Sequence, residues 1–217
     1  MKLLFTGFAP FGGDQVNPSW EAVSLLPERI GDIEIARRQM PVEYDRVGEL
    51  LREAIAQEQP DAVLCIGQAG GRACLTPEMV AINLNDASIP DNAGVSHAGE
   101  PICADGPAAY FATVPVKAIA EEMRRAGVPA SVSYTAGTYV CNNIMYHLLR
   151  VLEQEYPQVR GGFIHVPFEC GQVLERASMP SLPLPLIAAG LEAAARVTAE
   201  YLESGKQDAA GAAGYTH

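Results

Sequence analysis

A chain of 217 residues is long enough for one sizeable core and carries nothing that demands a second domain. With 48% hydrophobic and 19% charged residues the composition is globular, and 15 basic against 26 acidic residues leave a formal charge of -11, which argues against a nucleic-acid phosphate backbone as partner. No apolar run approaches the roughly 20 residues that cross a bilayer, MKLLFTGFAPFGG meets glycine and proline before any signal-cleavage pattern, and the five cysteines form no CxxC pair or zinc spacing, so a cytoplasmic protein with reduced thiols and no membrane partner is expected.

The apolar run KLLFTGF predicts a first core strand ending in glycine. Asn17-Pro18 then offers an N-cap and a first-turn proline to a helix, SWEAVSLLPERI, that Pro27 can end early. DIEIARRQM is the next strand, and Val42 to Gln57 repeats apolar residues at helical spacing. DAVLCIG reads as a strand covered on both faces, MVAINL as another. After the loop NDASIPDNAGVSHAGEPICADG, a helix is predicted from near Pro107 to about Arg125, kinked or interrupted at Pro115 and stopped by Gly127. ASVSYTAG then predicts a strand, CNNIMYHLLRVLEQEY a helix, GGFIHVPF a strand, and LPLIAAGLEAAARVTAEYLES the closing helix. The alternation implies a single α/β domain over residues 1–203, three-layered α/β/α with a mainly parallel central sheet, followed by a flexible tail over 204–217.

In such sheets ligands bind outside the carboxyl ends of the strands, and the loops there are FAPFGGDQVNP, GQAGGR, GTYVCNN and HVPFECG. Cys141 stands where a strand-like run becomes a helix, so unpaired N–H groups and the helix dipole are expected to lower its pKa and favour thiolate. A packing role is equally compatible with its position. Cys65 should be buried in its apolar run, while Cys74, Cys103 and Cys170 read as loop thiols. Amide cleavage by a thiolate needs a proton donor for the departing amine. His147, six residues along the helix, lies roughly 240° around its axis and points elsewhere. His97 sits in the long loop and His217 ends the tail, which leaves His165, at a strand's carboxyl end, as the best partner. For the acid that would orient its ring, Glu78 competes with Asp86, Asp91, Glu100, Asp105 and Glu169, and spacing does not choose among them.

The glycine loops let backbone N–H groups approach a small ligand, yet GQAGGR lacks the Lys-Ser/Thr of a P-loop and FAPFGG lacks the dinucleotide GxGxxG. Phe8 and Phe11 are expected on an exposed loop, suited to a flat, neutral ring. On the residues alone a nucleoside phosphorylase-like transferase and a small-ligand binding module stay open.

Taken together and in order, TGFAPFGGDQVNPSWEAV, GQAGGR, PEMVAINLNDASIPDNAG, SYTAGTYVCNNIMYHLL and RGGFIHVPF resemble the pyroglutamyl peptidase I family of cysteine peptidases. The resemblance implies Cys141 as nucleophile, His165 as its histidine and Glu78 as the orienting acid. It implies Phe8 and Phe11 against a pyrrolidone ring, with Gln68 at the site and Tyr139 as an aromatic wall. It also implies a cytosolic homotetramer without metal or organic cofactor that acts on N-terminally pyroglutamylated peptides. Two positions depart from the family pattern: Ser88 stands where arginine is frequent, and Tyr139 where phenylalanine is.

Overall fold

The structure, a computed structural model, describes residues 1–205, 208–211 and 213. The first apolar run forms β1 (Lys2–Phe8), which from Leu3 onward is wholly buried, so it must be covered on both faces. Asn17 caps α1 (Pro18–Leu25) by accepting the Ser19 N–H, and the helix ends before Pro27. A short edge strand β2 (Arg29–Ile30) and the long β3 (Ile33–Met40) lead into α2 (Tyr44–Glu58), and β4 (Ala62–Gln68) follows as a second strand, buried up to Gly67. The next segments are short: β5 (Thr76–Glu78), β6 (Val80–Ile82), β7 (Asn85–Asp86), β8 (Ala98–Glu100) and β9 (Ala109–Phe111). Then come α3 (Val116–Arg125), α4 (Val140–Glu155), β10 (Arg160–Val166), β11 (Phe168–Glu169), β12 (Ser181–Leu182) and α5 (Leu184–Ser204).

The main sheet has the order β2-β3-β1-β4-β10-β5. Its four inner strands are parallel, and the two edges run antiparallel to their neighbours. One face is covered by α1, α3 and α5 and the other by α2 and α4, which gives the three layers expected and two cores divided by the sheet. Parallel strands need crossover helices, and each crossover returns to the same sheet edge, so the carboxyl ends of β1, β4 and β10 open together.

Three sequence expectations change. The helix expected from near Pro107 begins only at Val116; Pro115 is its N-cap, and the preceding residues pair as β9 with β6. Pro115 cannot supply a side-chain cap. The Lys117 and Ala118 N–H groups instead donate to the Asp208 carboxylate at 3.1 and 3.0 Å. ASVSYTAG does not form a strand of the main sheet; it touches β5 and the residue before it through isolated bridges, Glu78 to Ser133 and Leu75 to Ala130. MVAINL divides, its apolar start forming β6 while Glu78 before it belongs to β5. Part of the tail over 204–217, including His217, lies outside the described residues.

One close approach fixes the first βα unit. A Cβ on Gly7 would lie 2.6 Å from the Trp20 Cα and 2.8 Å from the Ser19 carbonyl carbon, both backbone atoms at the start of α1. Gly7→Ala is therefore expected to cost about 3 kcal/mol, at the upper end for overpacking, because no side chain can move aside. Urea denaturation checks this; a loss below about 0.5 kcal/mol would mean that α1 is not seated on β1 as described.

Candidate active site

Glu78 is the centre of the site's electrostatics. Its side chain is 0% exposed on β5, and His165, 4% exposed, lies two registers along on the adjacent β10. The His165 Nδ1 is 2.7 Å from Glu78 Oε1. The same oxygen accepts from Arg72 Nη1 at 2.5 Å, while Oε2 is buried with no partner among the described residues. Arg72 also donates to Thr76 Oγ1 and, at 3.3 Å, to the Thr135 carbonyl. A buried carboxylate must be paired, and here one guanidinium and one imidazole do it.

The competing acids have other duties. Asp91 accepts the Tyr44 N–H at 2.8 Å and those of Ala93 and Val95, which ties the IPDNAG loop to the start of α2. Glu100 pairs with His97, Asp105 with Arg150, and Glu169 belongs to a capping box with Gln172, while Asp86 is exposed. His147 packs its ring against Gly48 of α2, where burial lowers its pKa, so it stands away from the sheet edge as helix geometry predicts.

Cys141 is the second residue of α4 and half-buried. Its sulfur lies over Gly67, where a Cβ would come within 2.8 Å of Sγ and 2.6 Å of the Phe163 ring. Gly67 pairs in parallel register with His165, so the space that Gly67 leaves empty is on the face where the imidazole stands. No hydrogen bond among the described residues joins the thiol to the imidazole. Burial pushes the Cys141 thiol up to about 12, the Glu78 charge adds in the same direction, and Arg72 opposes them. Burial thus works against the thiolate expected from the helix start and favours the thiol. Burial likewise lowers the His165 pKa, against the opposing pull of Glu78, so the imidazole rests neutral.

The first turn of α4 explains the two asparagines after the cysteine. Asn142 and Asn143 donate their N–H groups to the Tyr139 carbonyl, which leaves the Val140 and Cys141 N–H groups unused by the helix. Asn142 Oδ1 accepts the Ile82 N–H at 2.9 Å and its Nδ2 donates to the Ile82 and Leu84 carbonyls, clamping the helix start to the segment after Glu78.

Beside the sulfur is a small pocket lined by Phe8, Phe11, Gln68, Tyr139 and others. Its aromatic walls are of the kind that packs on a flat ring. The structure brings all four residues proposed for the ring to this cavity, with one change: Phe8 is buried at the end of β1 rather than on an exposed loop. The Tyr139 hydroxyl donates to the Pro90 carbonyl at 3.0 Å and its ring packs on Phe11 and Tyr44, so the departure from phenylalanine ties down the neighbouring loop. Ser88 is exposed in a bend of that loop. Cys65 is fully buried, Cys74 and Cys103 are half-buried and Cys170 exposed. Among the described residues no group of three or more His, Cys, Asp or Glu side chains is placed to hold a metal ion.

A thiol that opens a helix at the carboxyl edge of a parallel sheet, beside an imidazole held by a buried acid, has the parts of acyl transfer and little use as a passive receptor; the class this points to is the cysteine-type hydrolases of α/β/α fold. Comparison gives the family. The sequence profile described as pyroglutamyl peptidase matches residues 1–201, and the chain belongs to that family. It is 50% identical over 217 residues to the pyrrolidone-carboxylate peptidase of Lactobacillus johnsonii, covering 100% of both chains. With the enzyme of Bacillus velezensis the identity is 50% over 201 residues, 92% of this chain and 93% of that one. Among solved structures, pyroglutamyl peptidase I of Bacillus amyloliquefaciens superimposes with a TM-score of 0.91 at 47% identity, covering 96% of this chain and 99% of that chain. Pyrrolidone carboxyl peptidase of Thermococcus litoralis gives 0.93 at 37% identity, covering 97% and 99%.

Sequence reading missed Arg72, although a lone cation in a glycine loop six residues before an acid was a visible cue. Arg72→Met should cost about 3 kcal/mol, because it leaves the Glu78 carboxylate buried without a cation. Arg72→Lys should recover part of that in urea denaturation, and an unchanged midpoint in Arg72→Met would show that the pair contributes nothing.

The raised thiol has its own signature. A group held neutral by the fold stabilises the folded state fully below its ordinary pKa and loses that contribution as pH rises through the folded value. Alkylation of Cys141 by iodoacetamide, followed on its own peptide by mass spectrometry, is accordingly expected to be slow at pH 7 and to climb from about pH 9 towards about 12. A plateau reached by neutral pH would contradict a buried thiol.

Proposed function

We propose that Cys141, His165 and Glu78 act together to remove an N-terminal pyroglutamyl residue from peptides through a thioester. The observation that carries this is the 2.7 Å bond between His165 Nδ1 and the buried Glu78, on the strand next to the glycine over which the Cys141 sulfur lies. Fixing Nδ1 leaves Nε2 to handle protons. The neutral imidazole takes the thiol proton as sulfur attacks the carbonyl that joins pyroglutamate to the next residue. The tetrahedral oxygen is met by the unused Val140 and Cys141 N–H groups at the helix start. His165 returns the proton to the departing amine, and the C–N bond breaks to leave the thioester. Water then gives a proton to His165 and attacks the acyl carbon; the C–S bond breaks, pyroglutamate leaves, and His165 returns the proton to the sulfur. Glu78 stabilises the imidazolium at each stage, and Arg72 pairs with Glu78.

The pocket lined by Phe8, Phe11, Gln68 and Tyr139 is the place for the pyrrolidone ring. Five free thiols favour a cytoplasmic enzyme, and among the described residues no helix is long and apolar enough to cross a membrane. The family resemblance favours a homotetramer, and exposed Phe111, Leu174 and Met179 offer apolar surface for contacts between copies. No nucleic-acid partner is proposed for a chain of charge -11.

The test is hydrolysis of a pyroglutamyl amide beside the matching prolyl amide. Wild type should cleave the first and favour it by roughly 10⁴-fold or more, because a ring without the lactam groups leaves buried polar groups unpaired. Cys141→Ala should lose at least about 10³-fold in kcat. Full turnover in that variant removes the nucleophile assignment, and phosphate-dependent nucleoside cleavage would instead identify a phosphorylase.

A further inference from the structure

Gln68 is among the residues that line the ring pocket, and its amide has two ends of opposite character, one a donor and one an acceptor, so its orientation bears on what the pocket can recognise. That orientation is set from outside the pocket. Gln172 lies in the 3-10 turn Cys170–Val173, beyond β11, and its Oε1 accepts the Glu169 N–H at 3.1 Å as half of a capping box. A backbone N–H only donates, so the oxygen end of Gln172 is assigned without ambiguity. Its Nε2 then points at three acceptors: Asp14 Oδ2 at 3.1 Å, the Val16 carbonyl at 3.3 Å and Gln68 Oε1 at 3.0 Å. Asp14 and Val16 supply only oxygens there, which confirms the assignment from the other end. Gln68 must therefore turn its oxygen to Gln172, since its own amino group would set two donors against each other. The Gln68 Nε2 is left over with no protein acceptor among the described residues.

We propose that Gln172 is a specificity-positioning residue, which locks Gln68 so that the pocket offers a hydrogen-bond donor to the carbonyl of a lactam ring. The proposal rests on the reading that the pocket beside Cys141 holds the pyrrolidone ring, and adds the residue that gives the pocket its polarity. Gln172 touches neither substrate nor thiol; it acts through Gln68. The strap that carries it is also held by the Arg176 pair with Asp14, an acid that Gln172 shares, and by the Arg176 guanidinium 5.0 Å above the Phe168 ring. The contact with Phe168 does not involve Gln172 and remains when Gln172 is substituted.

The experiment uses Gln172→Met, which frees Gln68 to rotate, and Gln172→Glu, whose carboxylate demands a donor and so turns the Gln68 oxygen towards the pocket. Two quantities are measured on the full chain: the rate of Cys141 alkylation by iodoacetamide, and the concentration of 2-pyrrolidone that protects Cys141 from it. With KM and kcat for a pyroglutamyl amide, these separate binding from chemistry. In Gln172→Met the protecting concentration and KM should rise about tenfold, as for one lost hydrogen bond. In Gln172→Glu they should rise further, with unprotected alkylation within about twofold of wild type in both. Unchanged protection in Gln172→Glu overturns the proposal, as does unprotected alkylation that changes as much as protection does, since that marks a merely structural role. If 2-pyrrolidone fails to protect the wild type, the pocket reading falls and takes this inference with it; if only the variants behave as wild type, the pocket reading stands and the role of Gln172 falls.

Discussion

A carboxylate with no exposed surface constrains everything around it. Glu78 is placed by a three-residue edge strand in the interior, where an ionised acid is stable only with partners in good geometry. His165 and Arg72 meet that demand at one oxygen, and each is brought there by a different consequence of the chain's topology. His165 arrives because β10 is inserted between β4 and β5, so that its carboxyl end pairs with Gly67 on one side and Thr76 on the other. Arg72 arrives because the glycine loop after β4 folds back towards β5. Without the acid the imidazole would be a buried base with no orientation, and without the cation the acid would be a buried charge with half its compensation.

The sulfur obeys a second, steric constraint. Gly67 leaves out a side chain at the one position on β4 that faces the opening helix, and Phe163 closes the same space from β10. Thiol, imidazole and helix start are thus held by rigid elements rather than by loops, which is the condition for catalytic groups to keep their geometry. The asparagines after Cys141 extend the same logic: Asn142 accepts one and donates two hydrogen bonds to the backbone after Glu78, so the segment that follows the acid and the helix that carries the sulfur are fastened to each other.

How much of this the sequence disclosed follows from how local each feature is. The long apolar runs of β1, β4, β10 and α5 announced themselves, since a strand or helix buried on its faces can be written in few other ways. Helix geometry alone removed His147, and the position of His165 at a strand end singled it out. Selecting Glu78 from six acids needed either the family resemblance or the fold, because what distinguishes it is burial against β10, a contact 87 residues away in sequence. The stretch before Pro115 was misread as helix because its composition allows one, whereas pairing with β6 decided otherwise. Gln172 was invisible for the same reason as Glu78: its partners are Asp14 and Gln68, 158 and 104 residues distant.

The resting state of the site also bears on how selectivity and chemistry are joined. Two influences act on the Cys141 proton in opposite senses: burial beside Glu78 favours the thiol, and the open helix start favours thiolate. A cation near the sulfur would reverse the balance, but Arg72, the cation that acts on it, is already committed to Glu78. On the proposed mechanism, charge separation between sulfur and imidazole has no stabilising partner until an oxyanion develops at the helix start, within reach of the Val140 and Cys141 N–H groups. The proposed role of Gln68 and its neighbours in seating the ring would then also place the carbonyl where its developing charge can draw the proton from the sulfur.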